Sequence, residues 1–271
     1  MTNFIQRAIT GFMFILLMGV ALIAGSLSYA AVMLCVIVLC TKEFCSMLVT
    51  EHSKPHALVV YVVNILAFLL TFLYFWKSID IRWLLALIPI VWISFFIELF
   101  RARRKEPFLN TSLSFLCEIY IGMPFALFNF LVFKEVGCYD WKPIICLFVM
   151  GWVNDTGAYV FGVTLGRHKL YERISPKKTI EGFLGGILVT VAASVVIYKL
   201  GQFAALPLCI VSALVISIVG TAGDLIESMF KRHANVKDSG RILPGHGGML
   251  DRFDAILFSS PVVSLIYYFF T

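Results

Sequence analysis

Charge is what this 271-residue sequence has least of. Asp, Glu, Lys and Arg make up only 14% of it, where soluble domains carry about 25%. Hydrophobic residues make up 60%, and mean hydropathy is +0.92. A chain so poor in charge cannot clothe a soluble surface, which leaves a polytopic membrane protein. Long polar segments are missing too. No stretch between the apolar runs could hold a soluble domain, and no Gly/Ser/Pro linker, low-complexity tract or internal repeat interrupts them. The seven cysteines include no CxxC pair and lie mostly in apolar runs, where Cys packs as a small hydrophobe. G-x-x-x-x-G-K-[ST], H-E-x-x-H and G-x-S-x-G are all absent. That argues against an ordinary NTPase, a zincin or a serine hydrolase. The first apolar run follows Arg7 as in a signal peptide. It lacks an A-x-A site and further spans follow at once, so it is expected to be retained.

What is present is a series of apolar runs. A spanning helix needs about 20 mostly apolar residues. Runs at 8–25, 27–48, 58–76, 82–99, 110–133, 143–163, 180–199, 205–229 and 252–270 qualify. The expected fold is an all-α polytopic membrane protein of about nine transmembrane helices, forming one integral-membrane domain over 1–271. Gly25-Ser26 between the first two runs predicts a tight helical hairpin. With the N-terminus cytoplasmic, seventeen of the 22 Lys and Arg fall on that side and five on the other. The positive-inside rule then places the N-terminus in the cytoplasm and the C-terminus outside. The basic loops also suit anionic lipid. For Arg101, Arg103, Arg104 and Lys105, with no acidic or Gly-rich companion beyond Glu106, orientation is the preferred reading.

The last two cytoplasmic loops differ. Eight of the 16 acidic residues lie between Asp155 and Asp254. They are Asp155, Glu172, Glu181, Asp224, Glu227, Asp238, Asp251 and Asp254, and they gather towards one membrane face. Ionisable groups within spans are costly and by default mark function. Arg167, Lys169, Lys177, Lys178, Lys231, Arg232, Lys237, Arg241 and Arg252 interleave with them. Acids alone would suggest an ion path, and cations alone a lipid-facing loop. Both together, with "GHGG" at 245–248, suggest a phosphate substrate held with a hard cation. Mg²⁺ prefers one or two carboxylates plus phosphate oxygens. Lys and Arg neutralise the remaining charge, and glycine lets backbone N–H groups approach an anion.

Each piece has a plainer reading. "GHGG" can be a turn and His246 a satisfied loop histidine. "SPKKT" can open a helix, with Ser175 as N-cap and Pro176 at its first position. "GFLGG" allows close helix packing. Glu98 and Glu118 read as packing or interhelical hydrogen bonding, and Glu227 or Asp254 can simply pair with Lys231 or Arg252. The co-location of all of them favours a site. An ion-coupled transporter using Asp155, Asp224 and Asp251 is the reading from another class. Its acids would be expected near the midplane, with repeated halves, and no half-repeat is evident here.

"SMFKRHANVKDSGRILPGHGGMLDRFD", residues 228–254, resembles the hallmark of the phosphatidate cytidylyltransferases, the CDP-diacylglycerol synthases. "NDTGAYVFG" and "SPKKTIEG" resemble upstream elements of that family. The motifs cover roughly 154–254; spans within 1–135 carry none, and the catalytic bundle is expected over 143–271. The resemblance implies CTP and phosphatidate as partners, Mg²⁺ as cofactor with room for a monovalent cation such as K⁺, and Asp224 and Asp251 as metal ligands. It adds Lys231, Arg232 and His246 to the catalytic set. Substrate contacts are expected from Asn154, Asp155, Ser175, Lys177, Lys178, Thr179, Glu181, Lys237, Asp238, Gly247, Gly248 and Arg252. No nucleic acid is expected as a partner, and a homodimer is an allowed assembly. Activation of another lipid phosphate, such as a polyprenyl phosphate, is the rival within the same class. The implied location is a bacterial cytoplasmic membrane, with the site facing the cytoplasm.

Overall fold

A computed structural model of the chain describes residues 3–51, 53–100, 106–201, 203–245 and 247–271. Helices α1 (Asn3–Ile23) and α2 (Ser26–Met47) meet through Gly25, whose φ of 137° suits glycine alone. This is the tight hairpin the sequence predicts. There follow α3 (Ala57–Lys77), a 3₁₀ turn at Ile81–Ala86 running into α4 (Leu87–Phe100), and α5 (Pro107–Cys117). A π turn at Glu118–Gly122 joins α5 to α6 (Met123–Val132). Short strands β1 (Phe133–Glu135) and β2 (Cys138–Tyr139) lead to α7 (Lys142–Leu165). Then come β3 (Lys169–Tyr171), β4 (Ser175–Thr179), α8 (Ile180–Lys199), α9 (Leu206–His233) and α10 (Asp254–Phe270).

Among the described residues, seven helical stretches are long and apolar enough to cross a membrane. They run from α2 to α9, with the 3₁₀ turn and α4 counted together and α5 through α6 counted together. Two shorter apolar helices, Ile9–Ile23 and Asp254–Phe270, stand where the first and last spans are expected. The protein is an all-α polytopic membrane protein.

The chain forms two compact units. The first gathers the described residues within Met1–Asn129, Glu135–Tyr139 and Ala234–Arg252; the second comprises Phe130–Lys134, Asp140–His233 and Phe253–Thr271. In the first, Tyr29, Phe44, Phe68, Phe125 and Phe128 are fully buried. The Tyr29 hydroxyl donates to Asn129 Oδ1 at 3.1 Å, and Asn129 Nδ2 donates to Thr71 Oγ1 at 2.8 Å. Glu98 accepts from Asn110 Nδ2 at 3.2 Å and meets His56 Nε2 at 3.1 Å, so this acid serves interhelical bonding.

In the second unit, α7 and α8 pack so closely that side chains are excluded. A Cβ on Gly186 would stand 2.8 Å from Asn154 Oδ1, and one on Gly182 would stand 2.6 Å from Ala158 O. The "GFLGG" face is therefore a packing face. One local reading is corrected. Ser175 does not cap a helix and Pro176 does not begin one. Residues 175–179 form β4, paired antiparallel with β3. Thr179 is extended, and its hydroxyl accepts from Gly182 N at 3.1 Å, capping α8. That is an N-cap's work, and it sets the helix start four residues later than Ser175 would have.

Candidate active site

The second unit carries a cavity of about 550 Å³ where α7, α8, α9 and the β3–β4 hairpin come together. Its polar lining comes from Asn154 and Asp155 on α7, Lys169, Lys177, Lys178 and Thr179 on the hairpin, and Thr221 and Asp224 on α9. Ala158, Tyr159, Val163, Leu170 and Phe183 give it an apolar wall. Lys177 and Lys178 both line the cavity, and the pairing of β3 with β4 is irregular between Lys169 and Tyr171. Lys178 Nζ lies 2.5 Å from Asp224 Oδ2, with side chains 28% and 31% exposed. Ser228 Oγ stands 3.4 Å from the other Asp224 oxygen, one turn along α9.

Several predicted residues prove to be engaged with the protein itself. Glu181 accepts from Arg167 N at 3.0 Å and His168 N at 3.2 Å, and meets His168 Nδ1 at 2.6 Å. It thereby ties α8 to the end of α7. Lys231 Nζ lies 3.3 Å from Glu227 Oε2, one helical turn back. α9 runs on to His233, so Lys231 and Arg232 stand on the helix, beyond the boundary expected at 229. Cations there also complement the helix dipole. Arg232 is exposed. Ser175 sits in β4 and is not among the cavity-lining residues.

The first unit carries the other half of the motif set. Lys237, Asp238, Gly247 and Arg252 line a cavity of about 590 Å³ together with Arg241, Pro244 and the neighbouring glycines. Leu243 and Gly247 form an antiparallel bridge that pinches the loop. Gly247 has φ 84°, a left-handed conformation that glycine adopts without strain. Gly248 N donates 2.7 Å to Asp251 Oδ2, which also accepts from Ser239 N and Ser239 Oγ, each at 2.9 Å. Asp251 thus organises its own loop, from a 3₁₀ turn at Leu250–Arg252. His246 and Arg101 to Lys105 lie outside the described residues.

One residue escaped the sequence reading. Glu43, 5% exposed in α2, accepts from Met249 N at 3.0 Å and Leu250 N at 2.8 Å, and its Oε2 lies 3.1 Å from Ser239 Oγ. The available signal was an acid inside an apolar run, "CTKEFC".

No group of three or more His, Cys, Asp or Glu side chains forms a metal cluster among the described residues. In the second unit's cavity the polar groups are carboxylate, hydroxyl and amide oxygens beside lysines, with no Cys or His. That donor set fits a hard cation completed by phosphate oxygens rather than zinc.

A protein named phosphatidate cytidylyltransferase from Staphylococcus epidermidis is 40% identical over 166 residues, which is 61% of this chain and 62% of that relative. Proteins of the same name from Staphylococcus saprophyticus and Staphylococcus aureus are 39% identical over equal shares. The similarity thus spans less than two thirds of these curated relatives. The sequence profile of the cytidylyltransferase family, by contrast, matches residues 5–270. With that match running through every span and both motif-bearing units, the chain belongs to the cytidylyltransferase family.

Proposed function

We propose that the protein transfers the cytidylyl group of CTP to phosphatidate, giving CDP-diacylglycerol and pyrophosphate for phospholipid synthesis, and that it requires Mg²⁺. The observation that carries this reading is the second unit's cavity. Lys169, Lys177, Lys178 and Asp224 stand in it beside an apolar wall of Tyr159, Val163 and Phe183. A phosphate on a lipid asks for that combination. Supporting it are the family membership and the name of the Staphylococcus relatives.

A phosphate monoester is largely dianionic near neutral pH, its second pKa being about 6. Its oxygen can attack the α-phosphorus of CTP without a strong general base. The new P–O bond forms as the bond from the α-phosphorus to the bridging oxygen breaks, and pyrophosphate leaves with the electron pair. The obstacle is bringing two polyanions together. Lys177 and Lys178 in one cavity, and Lys237, Arg241 and Arg252 in the other, supply positive charge for that purpose. Asp224 and Asp251 are the carboxylates proposed to hold Mg²⁺, which when bound would neutralise triphosphate and leaving-group charge. Asp224 already accepts a cationic partner in Lys178. The basic loops support a site facing the cytoplasm, and the bacterial relatives support a cytoplasmic membrane location.

The test within the class is product formation from phosphatidate against a polyprenyl phosphate, each with labelled CTP. Preference for the polyprenyl phosphate would replace phosphatidate as the acceptor and leave the chemistry standing.

A further inference from the structure

Glu43 belongs to the half of the chain without motifs, yet it is wired to the loop that carries them. An ionisable side chain 5% exposed inside a spanning helix is costly unless its oxygens are bonded. Both oxygens here face the loop: Oε1 takes the Met249 N–H at 3.0 Å, and Oε2 takes the Leu250 N–H at 2.8 Å and approaches Ser239 Oγ at 3.1 Å. Two glycines make room for it. A Cβ on Gly240 would run into Glu43 Oε1, and one on Gly248 would come within 2.5 Å of Glu43 Oε2. Ser239 continues the chain of bonds. Its hydroxyl stands 2.9 Å from Asp251 Oδ2, which its own N–H also reaches at 2.9 Å.

We propose that Glu43 is a positioning residue: from a spanning helix its carboxylate fixes the 239–250 segment and, through Ser239, orients Asp251 for the reaction. A group on a helix holds a loop more exactly than another loop residue can. The chemical half of this role rests on the cytidylyl-transfer reading; the holding of the loop does not.

The test compares full-length wild-type protein with Glu43→Ala, Glu43→Gln and, as control, Glu51→Gln, an exposed acid beyond the end of α2. Hydrogen exchange at amides 248–250 and steady-state kinetics with CTP, phosphatidate and Mg²⁺ are read on each. Glu43→Ala is expected to exchange at least about tenfold faster there, with exchange in α9 unchanged. Glu43→Gln, which keeps one carbonyl oxygen, should rise less, and Glu51→Gln should not move. In Glu43→Ala kcat should fall at least about tenfold while KM for phosphatidate shifts less than about threefold, the split expected when alignment rather than binding is lost. Wild-type exchange in both Glu43 variants would overturn the proposal. So would faster exchange with unchanged kcat, because the carboxylate would then hold a loop the reaction does not need. If Glu43→Ala does not fold, Glu43→Gln decides by the same two readouts. A wild-type protein that makes no CDP-diacylglycerol would overturn the assigned reaction and with it the chemical half, while the exchange comparison would still decide whether Glu43 holds the loop.

Discussion

Lys178 and Asp224 meet at 2.5 Å in a cavity that leaves each about a third exposed. The pair is therefore both formed and reachable. A charged hydrogen-bonding group is worth about 1.5–3 kcal/mol, or roughly ten- to a hundredfold in rate if it acts on the transition state. Asp224→Asn, which keeps the volume and removes the charge, is expected to cost at least about a hundredfold in kcat with the protein still folded and inserted. Lys177→Ala and Lys178→Ala should each lose about tenfold or more, and Arg103→Ala, in the basic segment read from the sequence as orienting the chain, less than about twofold. Rates of radiolabelled product formation check the order, and a larger loss in Arg103→Ala would move the phosphate site to another loop. These residues were legible because charge is scarce in this chain and each one stands out. Glu43 stood out less, since its partner Ser239 lies 196 positions away and no local pattern announces such a contact.

At the scale of elements, the apolar runs predicted helix positions well, because a spanning helix must be apolar along most of its length. Helix ends were less legible. They depend on local groups such as the Thr179 cap of α8, and α9 runs on to His233 through charged residues that no apolar pattern marks. The β3–β4 hairpin went unread because a charged five-residue strand carries no alternation of apolar and polar residues to signal it. The contact of α7 with α8 gives a stability prediction. Gly186→Ala pushes a methyl to 2.8 Å from Asn154 Oδ1, whereas Gly19→Ala in α1 meets nothing within 4 Å. Gly186→Ala should destabilise by about 1–3 kcal/mol. Gly19→Ala should be neutral or stabilise by about 0.5–1 kcal/mol. Apparent Tm in detergent orders the two, and an equal or higher Tm for Gly186→Ala would contradict the close packing described for these helices.

For the whole molecule, the split of seventeen basic residues against five predicts opposite sides for the signature loop and the C-terminus. Cysteines introduced at exposed Lys237 and Thr271, with the exposed Cys35 and Cys138 replaced by serine, should react with an impermeant maleimide from opposite faces of the membrane. Labelling from one face would refute the orientation. The cytidylyl transfer proposed for this protein is tested most directly by pyrophosphate release from the purified protein supplied with CTP, phosphatidate and Mg²⁺, each withheld in turn. The expected result is release that requires all three, one pyrophosphate for each CDP-diacylglycerol formed, with ATP unable to replace CTP. No release with all three present, or undiminished release without phosphatidate, would contradict it.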